Sequence, residues 1–540
     1  MIVALLNEQQ NKEGSSTLSL PKPEGRKPLK VTVGSIDKPL NIEPLTVKEA
    51  QVIANKAHLT GVQQESVLAD LRSKFGTRSI EKGFKLAIPA LNRKYAQFFI
   101  SEDKLFMDTD NCFVRKKLYY CHSPVEFLNA VNRERGREGI EQVTLVVGDT
   151  GQGFLKISVS QIPLEELENN GLTRIPGPGL VHLETKDNIV TKSRKRRTWK
   201  DGVLGGDQFK DWGVRKLLIL AIVRKVPESS YNLETIFQAI KLNKLRFKLT
   251  GDFSFFMPCL GLLKGCGSCN PCPLCDQERS KEGGGKARWI EKNDVNLRSF
   301  GSLLQNYTGW VIEGMKSSAA NTKKWKSVTG EVLVQGEVDT NDTLVIDKII
   351  PGPLHLYLSV NELINFCEIH CWPDIKDVLR DKLGVQFHVY MGTVGNYEGP
   401  SIRKIFRKLD NIKKHMEISS RKLFYDALVA FRQVSQSVFN IKLHPNWREH
   451  LHILRDTIYT LNTTQGMPIT PKFHVLIVHV EQWIDRNGRS LGREGESSGE
   501  ALHHTWKRML ESQGESKEKE GEADRNIIMS TLLKFNSQNT

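Results

Sequence analysis

The sequence contains no apolar run longer than Leu217 to Val223, far short of the roughly 20 residues that a membrane-spanning helix requires, so no transmembrane helix and no membrane partner is expected. Its first residues, Met1 to Leu6 running straight into Asn7 and Glu8, lack the charged n-region and the length of a secretory signal, which predicts an intracellular protein. Cysteine is sparse and odd in number. Of the nine, Cys259, Cys266, Cys269, Cys272 and Cys275 crowd into one short segment. A disulfide framework spreads its cysteines, so crowding of this kind in a reducing compartment points to metal ligation. Acid is also in deficit: 77 Lys and Arg face 62 Asp and Glu, a net charge of +15. Such a field suits a polyanion, most simply nucleic acid, and does not exclude an acidic small molecule.

What remains is an ordinary globular composition, 39% hydrophobic and 26% charged, in a 540-residue chain long enough for two to four units at roughly 150 residues per domain. Residues 1–40, rich in Gly, Ser, Pro and Lys, read as a flexible basic leader. Residues 41–135 read as a helical N-terminal region. Thr46-Val-Lys-Glu49 and Thr60-Gly-Val-Gln63 are capping boxes that predict two helices about a tight turn. The pair resembles a DNA-binding helix-turn-helix weakly; a helical hairpin packed on the core is the plainer reading. Residues 136–255 read as a mixed α/β layer. Val143–Val147 is a strand running into a glycine turn at Gly148–Gly153, and Phe154–Ser160 alternates apolar and polar residues as a second strand. Leu217–Val223 is a buried strand, 232–242 a helix, and Leu245–Thr250 a further strand ending at Gly251-Asp252. Residues 256–485 turn mainly helical, 486–512 hold a glycine-rich loop entering a helix, and 513–540 read as a flexible tail of Glu, Lys and Ser.

Two basic segments stand out. Between Thr191 and Lys200, Arg194, Lys195, Arg196 and Arg197 form a run without acid, suited to a nuclear-localisation peptide or a phosphate-contacting loop; a solvated loop is the alternative. Farther on, Ile402, Phe406, Leu409 and Met416 recur at helical spacing as a buried stripe. Arg403, Lys404, Arg407 and Lys408 would form its outer surface, plausible against a DNA backbone.

The residues with metal chemistry are Asp149 and Asp252, each following a strand and a glycine. Strand-end carboxylates of this type can hold two hard divalent ions about 3.5–4 Å apart, one generating a nucleophile and one stabilising the leaving oxygen of a phosphodiester. A third carboxylate would come from the loop Gly492–Glu500, with Glu500 the first choice and Glu496 the second. Taken singly, each acid is as readily a turn or helix cap. Cys272-Pro-Leu-Cys275 has the spacing of a zinc knuckle, two thiolates about 2.3 Å from one ion. Its other ligands would be Cys266 and Cys269, or else His474 and His479 from Phe473-His-Val-Leu-Ile-Val-His479. On an ideal helix the two imidazoles, five residues apart, point about 140° away from each other. The ion would have to sit at a distorted end, and core histidines are the alternative.

In order along the chain, Gly148-Asp-Thr-Gly-Gln-Gly153, Gly251-Asp252, Pro271-Cys-Pro-Leu-Cys-Asp276, the His474/His479 segment and Gly495-Glu-Ser-Ser-Gly-Glu500 resemble the catalytic core of the V(D)J recombinase large subunit and its Transib-type transposase relatives. The linked spacings carry the resemblance: Asp252 lies 20 residues before Cys272, and Glu500 lies 21 after His479. Val480–Gly488, Met391–Asn396 and Ile402–Lys404 are smaller echoes, and the likeness spans residues 140–510.

The resemblance implies an α/β fold. Its RNase H-like mixed-sheet catalytic core would be interrupted by a large, mainly α-helical, zinc-containing insertion and preceded by a small helical N-terminal region. It implies a DDE triad of Asp149, Asp252 and Glu500 holding two Mg²⁺ or Mn²⁺ ions, and one structural Zn²⁺ on Cys272, Cys275, His474 and His479. The function implied is a nuclear DNA endonuclease and strand transferase. It would nick DNA with activated water and join the freed 3′-hydroxyl to another phosphodiester, with no covalent enzyme–DNA intermediate. The implied partners are DNA, a second copy of the chain and an accessory protein. The alternative is a domesticated, catalytically inactive zinc protein that binds DNA or protein.

Overall fold

The structure, a computed structural model, describes residues 16–20, 29–33, 90–151, 153–164, 217–264, 268–278, 295–316, 318–391, 394–416, 419–440, 443–494, 497–512 and 522–539. The capping boxes at Thr46 and Thr60 and the basic run Arg194, Lys195, Arg196 and Arg197 lie outside these residues. The chain forms two compact units, one of Met1–Ala96 with Trp506–Gln538 and the other of Gln97–Thr505 with the last two residues. Among the described residues, no helix is long and apolar enough to cross a membrane.

The larger unit is α/β. Its seven strands are β1 Phe99–Met107, β2 Phe113–Cys121, β3 Gln142–Gly151, β4 Phe154–Pro163, β5 Leu218–Arg224, β6 Phe247–Gly251 and β7 Ile349–Pro351, joined in the order β1-β2-β5-β4-β3-β6-β7. The first five in that order pair antiparallel, whereas β3–β6 and β6–β7 pair parallel. The sense of the sheet therefore changes at β3. In such sheets the crevice outside the carboxyl ends of the parallel strands is where functional groups converge.

Local chemistry explains these elements. Leu218–Val223 is a continuous β-branched and aliphatic run, fully buried as expected of a central strand. β4 differs from its alternating pattern, because all ten of its residues are buried, Lys156, Ser158, Ser160 and Gln161 included. An alternating sequence predicts one wet face; a strand flanked on both sides in a covered sheet has none. The segment Gly148–Gly151, expected as a turn, continues β3, with Gly151 opposite Phe154.

The helices around this sheet begin with α1 Pro124–Glu134, α2 Ser230–Ala239 and α3 Phe253–Cys259. Asn232 of α2, fully buried, receives the Met107 N–H and donates to the Met107 carbonyl, both at 2.7 Å. This satisfies backbone groups at the end of the edge strand β1 that would otherwise be orphaned. The region 41–135, read as helical, thus contains a β-hairpin, 99–121, that extends the sheet ahead of α1. The segment 256–485 is interrupted as well, since β7 lies within it and belongs to the sheet. Most of the remainder is helical: α4 Phe300–Ile312, α5 Pro353–Leu358, α6 Val360–His370, α7 Gly399–Arg407, α8 Ser419–Val438, α9 Trp447–Gln465 and α10 Val480–Asn487. Ile402, Phe406, Leu409 and Met416 are buried, and Arg403 and Arg407 are exposed.

The chain continues into α11 Ser497–Ser512 and α12 Glu522–Gln538. The 513–540 tail, expected to be flexible, therefore carries a helix with Ile528, Leu532, Leu533 and Phe535 buried. In the smaller unit, Ser16–Leu20 and Leu29–Val33 pair as an antiparallel hairpin within the stretch read as leader.

Candidate metal centre and strand-end carboxylates

Cys272, Cys275, His474 and His479 come together as a buried quartet whose ligand atoms all lie within 4.8 Å of one another. Cys275 Sγ is 3.3 Å from His474 Nε2, which is 3.1 Å from His479 Nε2. Neighbouring ligands of a tetrahedral zinc with bonds of about 2.0–2.3 Å are separated by roughly 3.3–3.8 Å, so the four atoms surround a volume of the right size and donor type. Cys269 is not part of the cluster, and Cys266 lies outside the described residues.

The helical objection to the His pair is removed by local backbone geometry. Thr470 caps the turn Pro471–His474, and the chain then forms a five-residue π turn, Val475–His479, before resuming as α10. Widening the turn brings residues five apart round to one side. It also displaces carbonyls from the α-helical ladder, and Arg455 of α9 donates to one of them, the Ile477 carbonyl, at 2.8 Å. Arg455 in turn pairs with Glu481. His479 Nδ1 donates to Gln482 Oε1 at 2.7 Å, leaving Nε2 with its lone pair directed at the cluster.

The cysteine side is organised by Arg298, a buried guanidinium that sequence reading gave no reason to single out. Its Nε donates to the Cys272 and Cys275 carbonyls at 3.1 and 2.8 Å, and its Nη2 to the carbonyls of Asn270 and Lys326 at 3.2 and 3.0 Å. Burial pushes the Cys272 thiol up, but hydrogen bonds from Cys275 and from the Leu274 and Cys275 amides, with the Arg298 charge, bring it below the ordinary cysteine value. Cys275 is pushed up to about 11, first by burial and then by Cys272. Burial holds His474 below the usual imidazole range, keeping it neutral as a ligand must be. The donor set and the enclosure fit a structural zinc. A buried Cys₂His₂ cluster of this kind can hold such a metal.

Asp149 and Asp252 lie at the carboxyl ends of β3 and β6. The parallel register runs as far as Val147 and Thr250, and Asp149 and Asp252 each follow two residues beyond that pair. Gly148 is required at this strand end, because a Cβ there would lie 1.9 Å from the Phe255 ring, which packs α3 onto the strand end. Asp252 caps α3, accepting from Phe255 N at 2.7 Å. His355, on α5 beyond β7, lies within electrostatic reach of both aspartates; burial lowers its pKa, with Asp252 opposing, Lys472 reinforcing and Asp149 opposing again.

A fourth group, absent from the sequence reading, is Glu228. Thr150 donates to its Oε1 at 2.8 Å. Ser254 Oγ lies 3.0 Å from its Oε2 and 2.8 Å from each oxygen of Asp252. One hydroxyl proton cannot satisfy three carboxylate oxygens. A proton on Glu228 or a cation among these oxygens completes the network, and Glu228 is raised above the ordinary carboxyl value by burial and then by Asp252. Across the ladder from Asp149, buried Lys156 donates to the Gly151 carbonyl at 3.0 Å. Glu228 carried no signal beyond its position after Pro227, four residues past the end of β5.

Glu500 falls in the first turn of α11, where the backbone but not its side chain is described, and Glu496 lies outside the described residues. Among the described residues, no three carboxylates approach one another as closely as the Cys/His quartet does. Lys404 donates to the Gly384 carbonyl at 2.6 Å, while Lys408 follows the last turn of α7 and is half-buried.

No protein-family model matches the chain, and no curated protein matches it.

Proposed function

We propose that this protein is a DDE-type nuclear DNA recombinase or nuclease, related to the V(D)J recombinase large subunit and Transib-type transposases, that cuts and joins phosphodiesters with two Mg²⁺ ions. The single observation that carries the reading is that Asp149 and Asp252 each follow, by two residues, the last paired residues of the parallel strands β3 and β6, where the sheet changes sense. The sheet, in which five strands pair antiparallel before β6 and β7 join in parallel, is compatible with an RNase H-like core. Glu228 and His355 border the same crevice, and the carboxylates would hold the ions that activate water and stabilise the leaving oxygen.

The course of the chain supports Glu500 as the third acid. α10 is tied to the sheet where Lys248 of β6 donates to Asn487 at 2.7 Å and Arg486 forks onto Asp347 with two bonds of 2.6 Å. Buried Glu494, paired with Arg489, exerts its charge on Lys248 six residues before Glu500. Exposed Arg403 and Arg407 would meet the DNA backbone, and the zinc quartet would hold together the ends of the helical insertion. Action as a homodimer with an accessory protein belongs to the same reading.

Full-length protein with Mg²⁺ or Mn²⁺ should nick supercoiled DNA, and Asp149→Asn, Asp252→Asn and Glu500→Gln should each abolish nicking. Activity surviving all three rejects the assignment. The separation of the described acids, with Ser254 standing between Glu228 and Asp252, favours a second reading in which the site is silent and the protein a zinc-dependent DNA binder. DNA affinity that needs zinc, with no nicking by intact protein, would select it.

A further inference from the structure

A second pair of cysteines, outside the zinc quartet, meets at the end of α6. Cys367 and Cys371 are free thiols one helical turn apart, with their Sγ atoms 3.4 Å from each other. Residues i and i+4 share a helix face, so the spacing itself aims both sulfurs the same way. Cys367 is buried and Cys371 half-buried, which gives the pair a dry inner donor and an outer donor that a solute can reach. Among the described residues, no third His, Cys, Asp or Glu joins them.

The end of the helix holds the two sulfurs in place. The Cys367 carbonyl accepts from the Cys371 and Trp372 amides at 3.0 and 2.8 Å, and the buried Trp372 ring that follows lies 4.7 Å from the Arg421 guanidinium. Burial raises both thiols above the ordinary cysteine value, more than the nearby Arg421 charge lowers them, so both keep their protons near neutrality. A disulfide is the poorer product of this geometry, because its sulfurs would have to close from 3.4 Å to about 2.05 Å against the amide bonds that fix the last turn. A bridging atom needs no such closure. With sulfur bonds of about 2.3 Å, thiolates 3.4 Å apart subtend about 95° at the atom between them, a pyramidal angle, against about 109° at a tetrahedral zinc.

We propose that Cys367 and Cys371 form a dithiol site for a trivalent thiophilic metalloid, arsenic(III), held by both sulfurs. Soft sulfur donors select such centres over hard cations. The step is a condensation in which nothing is oxidised or reduced: two As–OH bonds break, two As–S bonds form, and the two thiol protons leave with the hydroxides as two waters. Protonated, half-dry thiols suit it, since no net charge is created. A divalent ion would instead have to expel both protons and would find two of the four donors it needs. The site stands apart from the zinc quartet. Glu362, near the start of α6, accepts from Thr470 beside the His474 turn, whereas Cys371 lies nine residues on, about 13 Å farther along the helix axis.

The test mixes full-length, zinc-loaded protein with one equivalent of phenylarsine oxide in excess glutathione and follows it by native mass spectrometry. Wild type should gain one phenylarsenic group less two hydrogens, keep its zinc, and give up the arsenical to dithiothreitol but not to glutathione. Proteolysis should place the arsenical on the peptide that contains both Cys367 and Cys371. Cys371→Ser, at the half-buried position, should retain zinc and bind the arsenical about 10²- to 10⁴-fold more weakly, the advantage that a second tethered donor confers. Cys367→Ala should match it, with zinc content and melting temperature showing that each variant is folded. No uptake by wild type, uptake accompanied by zinc loss, an arsenical mapped to any other peptide, or unchanged affinity in Cys371→Ser overturns the site. The peptide placement is read on wild type, so it decides the matter even where a variant fails to fold.

Discussion

Removing the metal from the Cys272/Cys275/His474/His479 quartet should loosen the larger unit by an amount set by the chain length it closes. Cys275 and His474 are 199 positions apart, and a cross-link closing a loop of that length removes about 5 kcal/mol of chain entropy from the unfolded state in the loop-closure treatment. Wild-type protein should carry roughly one zinc, His474→Ala and Cys275→Ser essentially none, and both variants should lose up to about 5 kcal/mol in chemical denaturation, as should the chelated wild type. Gln482→Ala, which frees His479 Nδ1 without removing a ligand, should retain the metal but weaken its binding about 10- to 100-fold. Native mass spectrometry gives the stoichiometry and competition with a chromophoric chelator the affinity. Retention of zinc by His474→Ala would refute the ligand set. Loss of zinc without loss of stability would refute the cross-linking argument, because it would mean that Arg298 and the π turn hold the insertion closed by themselves.

Arg298→Lys should also impair zinc retention, because an ammonium cannot span the four carbonyls that the guanidinium serves; zinc release on mild heating is the readout. Glu228 is raised in the folded state, so it stabilises the protein below the unfolded value of 4.5 and that contribution is lost as pH rises through the folded value; Glu228→Gln should therefore be more stable than wild type near pH 8 and no different near pH 4 in denaturant titrations. Buried Lys156 is pushed down to about 7, first by burial and against the pull of Asp149, so stability should climb between pH 7 and about 10, where the folded amine is neutral and the unfolded one still holds its proton, and Lys156→Met should flatten that climb. An unaltered pH profile in either variant would contradict the burial assigned to its side chain.

Much of the core was legible because its strands are written in aliphatic residues. Val143–Val147 and Leu217–Val223 could hardly be anything else. β7 was not legible, since three residues, Ile349–Pro351, become a strand only by pairing in parallel with β6. The hairpin β1–β2 was hidden by charge: Glu102, Asp103 and Lys104 interrupt one strand and Arg115, Lys116 and Lys117 the other, as suits an edge strand and its neighbour. The tail helix was masked by the Glu, Lys and Ser that precede it, although Ile527 to Phe535 is apolar enough to be buried. At the metal centre, the ligand types and spacings could be read from the sequence, but the π turn could not, because nothing in Val475–Val478 signals one extra residue per turn. Glu228 and Arg298 act through contacts made by distant segments, which no local pattern encodes.

The two readings of Asp252, helix cap and metal ligand, are not exclusive. A carboxylate offers about four lone-pair positions, and the Phe255 amide and the Ser254 hydroxyl do not exhaust them. Capping fixes the rotamer, and the contact of the Phe255 ring with Gly148 fixes the separation of α3 from β3, so the side chain is oriented before any ion arrives. The same network then couples ion to proton. Ser254 can serve both Asp252 and Glu228 only while a proton or a cation relieves the surplus of acceptors. A divalent ion entering beside Asp149 and Asp252 would therefore displace the Glu228 proton, and its affinity would rise with pH until Glu228 ionises unaided.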